Sequence, residues 1–246
     1  MEKKRKIAKA FFILTFLIPF ISGYGQEDAT STSTTSGKFA YGLHVGGNVS
    51  TFYGQPHTGF IPGLTGGIHA GYGFNSVLGI QSELNYLEQG GRLLKITNPD
   101  QLGTYPQFDN QVDDQSSKIY EIELPLLLTF DLHAGNGTIR FLVGPSVAYT
   151  IYAESNTETT ALLPGNLYAT FSSNETITKS IEPFQYNISG GLAFEFPFLS
   201  DKSLSFDFRY RYTINAIYPG YSYLGIAATS GNLHAYGVSA TIGFNF

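Results

Sequence analysis

The sequence has no cysteine and no tryptophan, and only 13% of its 246 residues are charged. Without cysteine there is no disulfide framework, no thiolate metal site and no thiol nucleophile. Ordinary soluble domains carry about 25% charged residues, so this chain is short of the groups that cover a water-exposed surface. Past residue 21 no apolar run reaches the roughly 18 residues of a membrane-spanning helix. No stretch has the period of an amphipathic helix. Glycine-rich nucleotide loops, a Walker loop and an H-E-x-x-H pair are also missing. Gly (28), Phe (20) and Tyr (17) are abundant instead.

The amino terminus reads as a targeting segment. Lys3, Lys4, Arg5, Lys6 and Lys9 precede the apolar run "AFFILTFLIPFI", and Gly23-Tyr24-Gly25 fits a small-x-small cleavage site. Residues 1–25 are therefore expected to be a cleaved signal peptide, with the mature chain starting near Gln26. Cleavage leaves 9 basic and 18 acidic residues, a net charge of −9, which argues against nucleic acid as a partner and for an address in the cell envelope. The next segment, "QEDATSTSTTSGK" over 26–38, is almost free of apolar side chains and reads as a linker. Residues 39–246 form the folded part.

That part reads as strands joined by alternately short and long connections. Eight are expected: Phe39–Phe52, Ile61–Phe74, Val77–Glu88, Lys118–Leu132, Thr138–Ala153, Pro183–Phe198, Leu204–Ile217 and Asn232–Phe246. Asn75-Ser76, His133–Gly137 and Leu199–Ser203 have the composition of tight turns. The connections around "YGQPHTGF", Gln89–Ser117, Glu154–Glu182 and Tyr218–Gly231 are longer and polar. An even strand number, with short turns at one end and long loops at the other, predicts an all-β, eight-stranded antiparallel transmembrane β-barrel with both termini periplasmic.

The two faces of each strand say which side meets lipid. In "LSFDFRYRYTIN", Leu204, Phe206, Phe208, Tyr210, Tyr212 and Ile214 share one face and Ser205, Asp207, Arg209, Arg211, Thr213 and Asn215 the other. Eight strands of such large side chains would overfill a small barrel, whose interior just holds side chains. The apolar face therefore looks outward. The last ten residues, "GVSATIGFNF", then expose Ile242, Phe244 and Phe246 to lipid.

Inward parity collects Glu83, Glu121, Glu123, Asp131, Arg140, Glu195, Asp207, Arg209 and Arg211 in the lumen. Unpaired charge there costs several kcal/mol, so a network of ion pairs filling the barrel is expected. Strands three and seven lie opposite one another in an eight-strand ring, which brings Glu83 towards Arg209. The five histidines (His44, His57, His69, His133, His234) are scattered; His44 and His69 share inward faces of neighbouring strands, and filling of a polar lumen accounts for them better than a metal or hydrolase site. Asp109, Asp113 and Asp114 lack the spacing of a calcium loop and read as a solvated loop. No catalytic, cofactor or metal site is expected.

The runs "GLHVGGNVS" (Gly42–Ser50), "LGIQSELNYLEQGGR" (Leu78–Arg92), "YEIELPLLL" (Tyr120–Leu128), "FLVGPSVAY" (Phe141–Tyr149), "YNISGGLAFEF" (Tyr186–Phe196) and "FDFRYRYTINAI" (Phe206–Ile217), in this order, resemble the PorT-like outer membrane β-barrel proteins of Bacteroidota, small barrels of the OmpA and OmpX type. The resemblance implies a non-enzymatic outer membrane barrel of a Gram-negative envelope, in contact with outer membrane lipid and inserted by the barrel assembly machinery. The sequence departs from such barrels in having no Trp for the interfacial girdle, a place left to Tyr and Phe, and in its long Glu154–Glu182 connection. A monomer with a binding or envelope-assembly role is expected, through a ligand of the outward loops or a partner in secretion machinery. A small-solute channel is the alternative, and a lipid-modifying enzyme the third.

Phe246, with Phe244 and Ile242, resembles the terminal aromatic signal by which such barrels are recognised during assembly. Deleting Phe246 is expected to leave folding into detergent nearly unchanged, since one boundary aromatic is lost, while assembled protein in cells falls sharply. Quantifying the heat-modifiable band in outer membrane fractions checks this; an unchanged level would refute the signal reading.

Overall fold

A computed structural model describes residues 38–54, 58–97, 109–135, 137–163, 167–199, 202–217 and 233–246, all within one compact unit, Thr35–Phe246. The expected leader and the linker up to residue 37 lie outside the described residues, as do His57 and the connection 218–231. Among the described residues there are ten strands: β1 (Lys38–Tyr53), β2 (Thr58–Gly59), β3 (Ile61–Gly73), β4 (Leu78–Thr97), β5 (Asp109–Ala134), β6 (Gly137–Leu163), β7 (Leu167–Thr176), β8 (Phe184–Leu199), β9 (Lys202–Thr213) and β10 (His234–Asn245).

Eight of them close into an antiparallel barrel, in the ring order β1, β3, β4, β5, β6, β8, β9, β10. The seam joins β10 to β1 from Gly42↔Asn245 to Tyr53↔His234. β2 and β7 stand off the ring, pairing with β4 and β6. At the short-turn end, Asn75 Oδ1 accepts the Val77 and Leu78 N–H groups at 2.8 and 2.7 Å, an Asx turn between β3 and β4. Gly135, at φ +60°, turns β5 into β6.

The expected elements differ most at the opposite end. β4, β5 and β6 run to Thr97, back to Asp109 and out to Leu163, well past the limits Glu88, Lys118 and Ala153 expected for them. Most of the supposed loops Gln89–Ser117 and Glu154–Glu182 are thus strand, and β7 lies within the second. Alternation of polar and apolar residues fades there because the inward positions are polar too: Gln89, Gln115, Ser117 and Ser155 are buried, so the period of two carries no hydropathy signal. Backbone pairing and β-branched residues such as those of "TETT" (Thr157–Thr160) still favour extension. β9, in contrast, stops at Thr213.

Burial follows parity along the ring. On β4, Leu78, Leu84 and Tyr86 are exposed outward, while Gln81, Glu83, Asn85 and Gln89 are buried inside. Phe39, Phe74, Phe130, Phe141 and Phe198 ring the short-turn end, and Tyr86, Tyr152, Tyr186 and Tyr210 the other. From Phe130 to Tyr120, ten residues of a strand tilted by about 40° span roughly 25 Å, the height of the apolar band of such barrels. A bulge facing Tyr120 and Glu121 inserts Ile151 in β6 at that upper boundary, and inward parity passes from Thr150 to Ala153. Beyond it β5 continues for about another 35 Å of strand. Two inward glycines permit close strand approach: a Cβ on Gly46 or Gly144 would collide with the carbonyl oxygen of Ala240 or Leu126.

The outward Phe208, 52% exposed, sits near mid-height on β9. Phe208→Arg should lower unfolding stability in lipid bilayers by about 2–4 kcal/mol, with Phe208→Leu close to wild type. Urea titrations in vesicles measure both, and equal stability of the two variants would reverse the face assignment.

Candidate functional site

Among the described residues the lumen gathers most of the buried polar side chains, which stack in tiers along the barrel axis. Nearest the short turns, Arg140 on β6 donates two hydrogen bonds to Asp131 on β5 (2.7 and 2.8 Å) and pairs with Glu195 on β8 at 3.2 Å. Ser203 donates to the same Glu195 and accepts from Asn245 Nδ2 at 3.1 Å. The other end of the Asn245 amide meets His69 Nε2 at 2.9 Å, and His69 Nδ1 lies 3.4 Å from His44 Nδ1. Asn245 Oδ1 is only an acceptor, so the His69 proton sits on Nε2.

The middle tier crosses the barrel. Arg209 on β9 holds Glu83 on β4 through two bonds of 2.7 and 3.0 Å, and Asp207 on its own strand at 2.5 Å. Gln81 and Asn85 each donate to Glu83 at 2.7 and 2.8 Å, so both of its oxygens are saturated. Four donor groups around one carboxylate compensate for removing it from water.

Above it, Arg211 lies 3.5 Å from Glu123 and donates to Gln89 Oε1 at 2.6 Å. The Gln89 amide in turn donates to Glu121 and to Gln185, both at 2.7 Å. Ser146 and Asn187 donate to Glu123 at 2.5 and 3.2 Å. Glu121 is reached by an amide rather than by a guanidinium, and its second oxygen has no hydrogen-bond partner among the described residues.

At the top the chemistry changes. Phe52, Ile119, Ala153, Ile181, Ile217, Leu233 and Ala235 pack into a buried apolar cluster, with Leu93 and Ile177 against it. It closes the lumen on the side of the long strands. Ile217 N–H donates to Leu233 O at 2.7 Å, and Glu182 N–H to Ile217 O at 3.0 Å, so the chain segments bringing this cap together are tied by their backbones.

All nine charged residues singled out from the sequence thus face the lumen, in three separate groups and not one continuous chain of ion pairs. Inward parity marks the amides Gln81, Asn85, Gln185 and Asn187 as clearly as the charges, although the expected network counted only charges; Gln89 falls in a segment expected to be a loop. Sequence reasoning missed the cap, for which a signal existed: Phe52 and Ile119 are large apolar residues at inward positions. His44 and His69 meet, whereas His133 is exposed near the end of β5, paired with Thr138 of β6, and His234 stacks on Tyr212. Among the described residues no group of three His, Cys, Asp or Glu is placed to hold a metal. Asp114 lies on β5, not in a loop, and is paired with Arg92 on β4 through both oxygens; the side chains of Asp109 and Asp113 are outside the described set.

Free space in the lumen is small. Cavities of about 40 and 20 Å3 lie beside Arg209, and a vestibule of about 260 Å3 opens at the short-turn end among His69, His133, Asp131, Arg140 and Glu195. The terminal residues lie outside the wall at that same end. Phe246 N–H donates to Tyr41 O at 2.9 Å across the seam, its ring stacks on Tyr41 at 5.5 Å, and Lys202 Nζ lies 5.3 Å from it.

The middle tier makes an asymmetric stability prediction. Removing Arg209 leaves Glu83 and Asp207 facing one another, whereas removing Glu83 leaves Arg209 still paired with Asp207. Arg209→Gln should cost about 3–5 kcal/mol, Glu83→Gln less, and the double variant less than the two losses added. Urea midpoints of the refolded proteins test this; simply additive losses would mean that the pair carries no coupling.

The family model described as an outer membrane protein beta-barrel domain matches residues 24–218. None of the curated proteins matches the chain. Among solved structures, Neisserial surface protein A is 14% identical at a TM-score of 0.40, covering 83% of this chain and 95% of its own. OprG from Pseudomonas aeruginosa is 13% identical at 0.40, covering 86% and 96%. A major outer membrane protein from Thermus thermophilus is 12% identical at 0.41, covering 84% and 98%.

Proposed function

The chain belongs to the outer membrane β-barrel protein family, and from that premise we propose that it is a closed, non-enzymatic barrel whose wall holds a binding or assembly surface above the outer membrane. The short turns and both strand termini then face the periplasm, and β4 to β7 project outward. The apolar cap carries this reading. Ile119, Ile217 and Leu233 are fully buried and Phe52 is 1% exposed, so a solute would have to part close-packed side chains that gain nothing from water. Below the cap the lumen is cross-linked by Arg209 and Arg211, and the cavities beside Arg209, about 40 and 20 Å3, have room for a few waters at most.

Polar groups this immobilised suit a rigid support better than a conduction path, where binding must be weak enough to release. The binding role then falls to what the wall carries outward. Insertion by the barrel assembly machinery through Phe246, and a place among PorT-like barrels with a secretion-machinery partner, belong to the same proposal. A Ser/His hydrolase in the lumen is disfavoured because the side-chain hydrogen bonds described join His44 to His69 and His69 to an amide, and among the described residues none joins either imidazole to a serine.

Planar bilayer recordings of the refolded protein should show no resolved single-channel steps, and proteoliposomes should swell in arabinose no faster than empty liposomes. Steps or swelling that persist in pure wild-type protein would overturn the closed-barrel reading in favour of a small-solute channel.

A further inference from the structure

β7 is hydrogen-bonded to β6 along its whole length, from Glu154↔Thr176 to Leu163↔Leu167. Among the described residues no strand pairs with its other side. In an antiparallel pair every second residue turns its N–H and C=O away from the partner, so β7 presents a row of backbone donors and acceptors above the membrane. Natural sheets guard such edges with lysine, proline or bulges. "LYATFSSNET" contains neither residue, and its pairing runs without a register shift.

The side chains around this edge narrow what could add to it. Tyr168 is 75% and Phe171 61% exposed, on opposite faces of the strand, so an added strand would find an aromatic anchor on either side. Over 89–97, 109–117 and 154–176, the parts of β4 to β7 beyond the bilayer, the chain has six acidic residues (Asp109, Asp113, Asp114, Glu154, Glu158, Glu175) against two basic ones, Lys95 and Arg92, the latter paired with Asp114. β7 itself carries only Glu175. The edge is therefore a nearly neutral strip beside an acidic surface.

From these observations we propose that β7 docks an extended cationic peptide strand, an uncharged β-forming core flanked by Lys or Arg, by edge-to-edge addition. The proposal rests on the reading of this end of the barrel as a binding surface. A second copy of the chain fits less well: it would bring the same acidic surface against this one, and two barrels in one membrane both run β7 towards the bilayer. That enforces parallel pairing, the less stable kind per residue.

The test uses the full mature chain in nanodiscs and a fluorescein-labelled ten-residue Thr/Val peptide with Lys at both ends. Fluorescence anisotropy should show saturable binding. Methylating alternate backbone amides of the peptide should weaken it by at least about tenfold, because the ladder is lost while charge is kept. Phe171→Ala should weaken binding, and Glu158→Gln with Glu175→Gln should weaken it several-fold at low salt and much less at high salt. All of these positions are on exposed strand surfaces, and unchanged heat-modifiable migration confirms folding.

Equal binding of the methylated and unmethylated peptides would overturn the proposal, leaving surface electrostatics only. Absence of binding, or concentration-dependent dimers in sedimentation that the peptide does not disperse, would overturn it too. Either failure in a barrel that does not conduct removes the β7 inference alone, whereas conduction removes the closed-barrel reading and leaves the peptide result intact.

Discussion

Closure of the ring is the constraint from which the rest follows. A strand in hydrocarbon has no water to satisfy its N–H and C=O groups, so each must pair with a neighbour and no edge can be left. The seam between β1 and β10 supplies the last of these pairings, from Gly42↔Asn245 to Tyr53↔His234. Closing eight strands makes the interior narrow, and this width dictates the chemistry inside. Side chains projecting from opposite walls must touch, which is why Arg209 on β9 reaches Glu83 on β4 with two hydrogen bonds.

A narrow lumen filled with charge has to balance its desolvation, and amides supply much of that balance here. Three guanidinium groups, Arg140, Arg209 and Arg211, serve five of the six lumen carboxylates and none reaches Glu121, so Gln81, Asn85, Gln89, Asn187 and Ser146 supply the further donors that these carboxylates need. The apolar cap has a different basis. At the level of Phe52 and Ile119 the barrel passes from lipid to water, and the segments around Ile181, Ile217 and Leu233 cross over the lumen; burying apolar surface there stabilises the crossing without a demand for matched hydrogen bonds.

Past the membrane boundary closure is no longer required. The bulge at Ile151 marks the change: below it every edge is paired, above it β7 ends the sheet with one side bare among the described residues. Hydrocarbon forbids a bare edge, while water tolerates one. The same fold therefore combines a wall that leaves nothing available for binding with a sheet that does.

Much of this is written in the sequence. A period of two, in residues such as Phe206, Phe208 and Tyr210 against Asp207, Arg209 and Arg211, assigns lipid and lumen faces strand by strand, because side chains alternate across a strand whatever the rest of the chain does. Turn residues such as Asn75 and Gly135 mark one end for the same local reason. The tertiary structure decided where that code falls silent. Beyond Glu88, Lys118 and Ala153 the inward positions are polar as well, Gln89, Gln115, Ser117 and Ser155 being buried, so hydropathy no longer shows a period and these stretches of β4, β5, β6 and β7 looked like loops. Parity names which charged side chains point inward, but strand tilt and stagger decide that Arg211 meets Glu123 while Glu121 meets Gln89. The cap, too, belongs to tertiary structure, since Phe52, Ile119, Ile181, Ile217 and Leu233 come from distant parts of the chain and share a site only once the ring is closed.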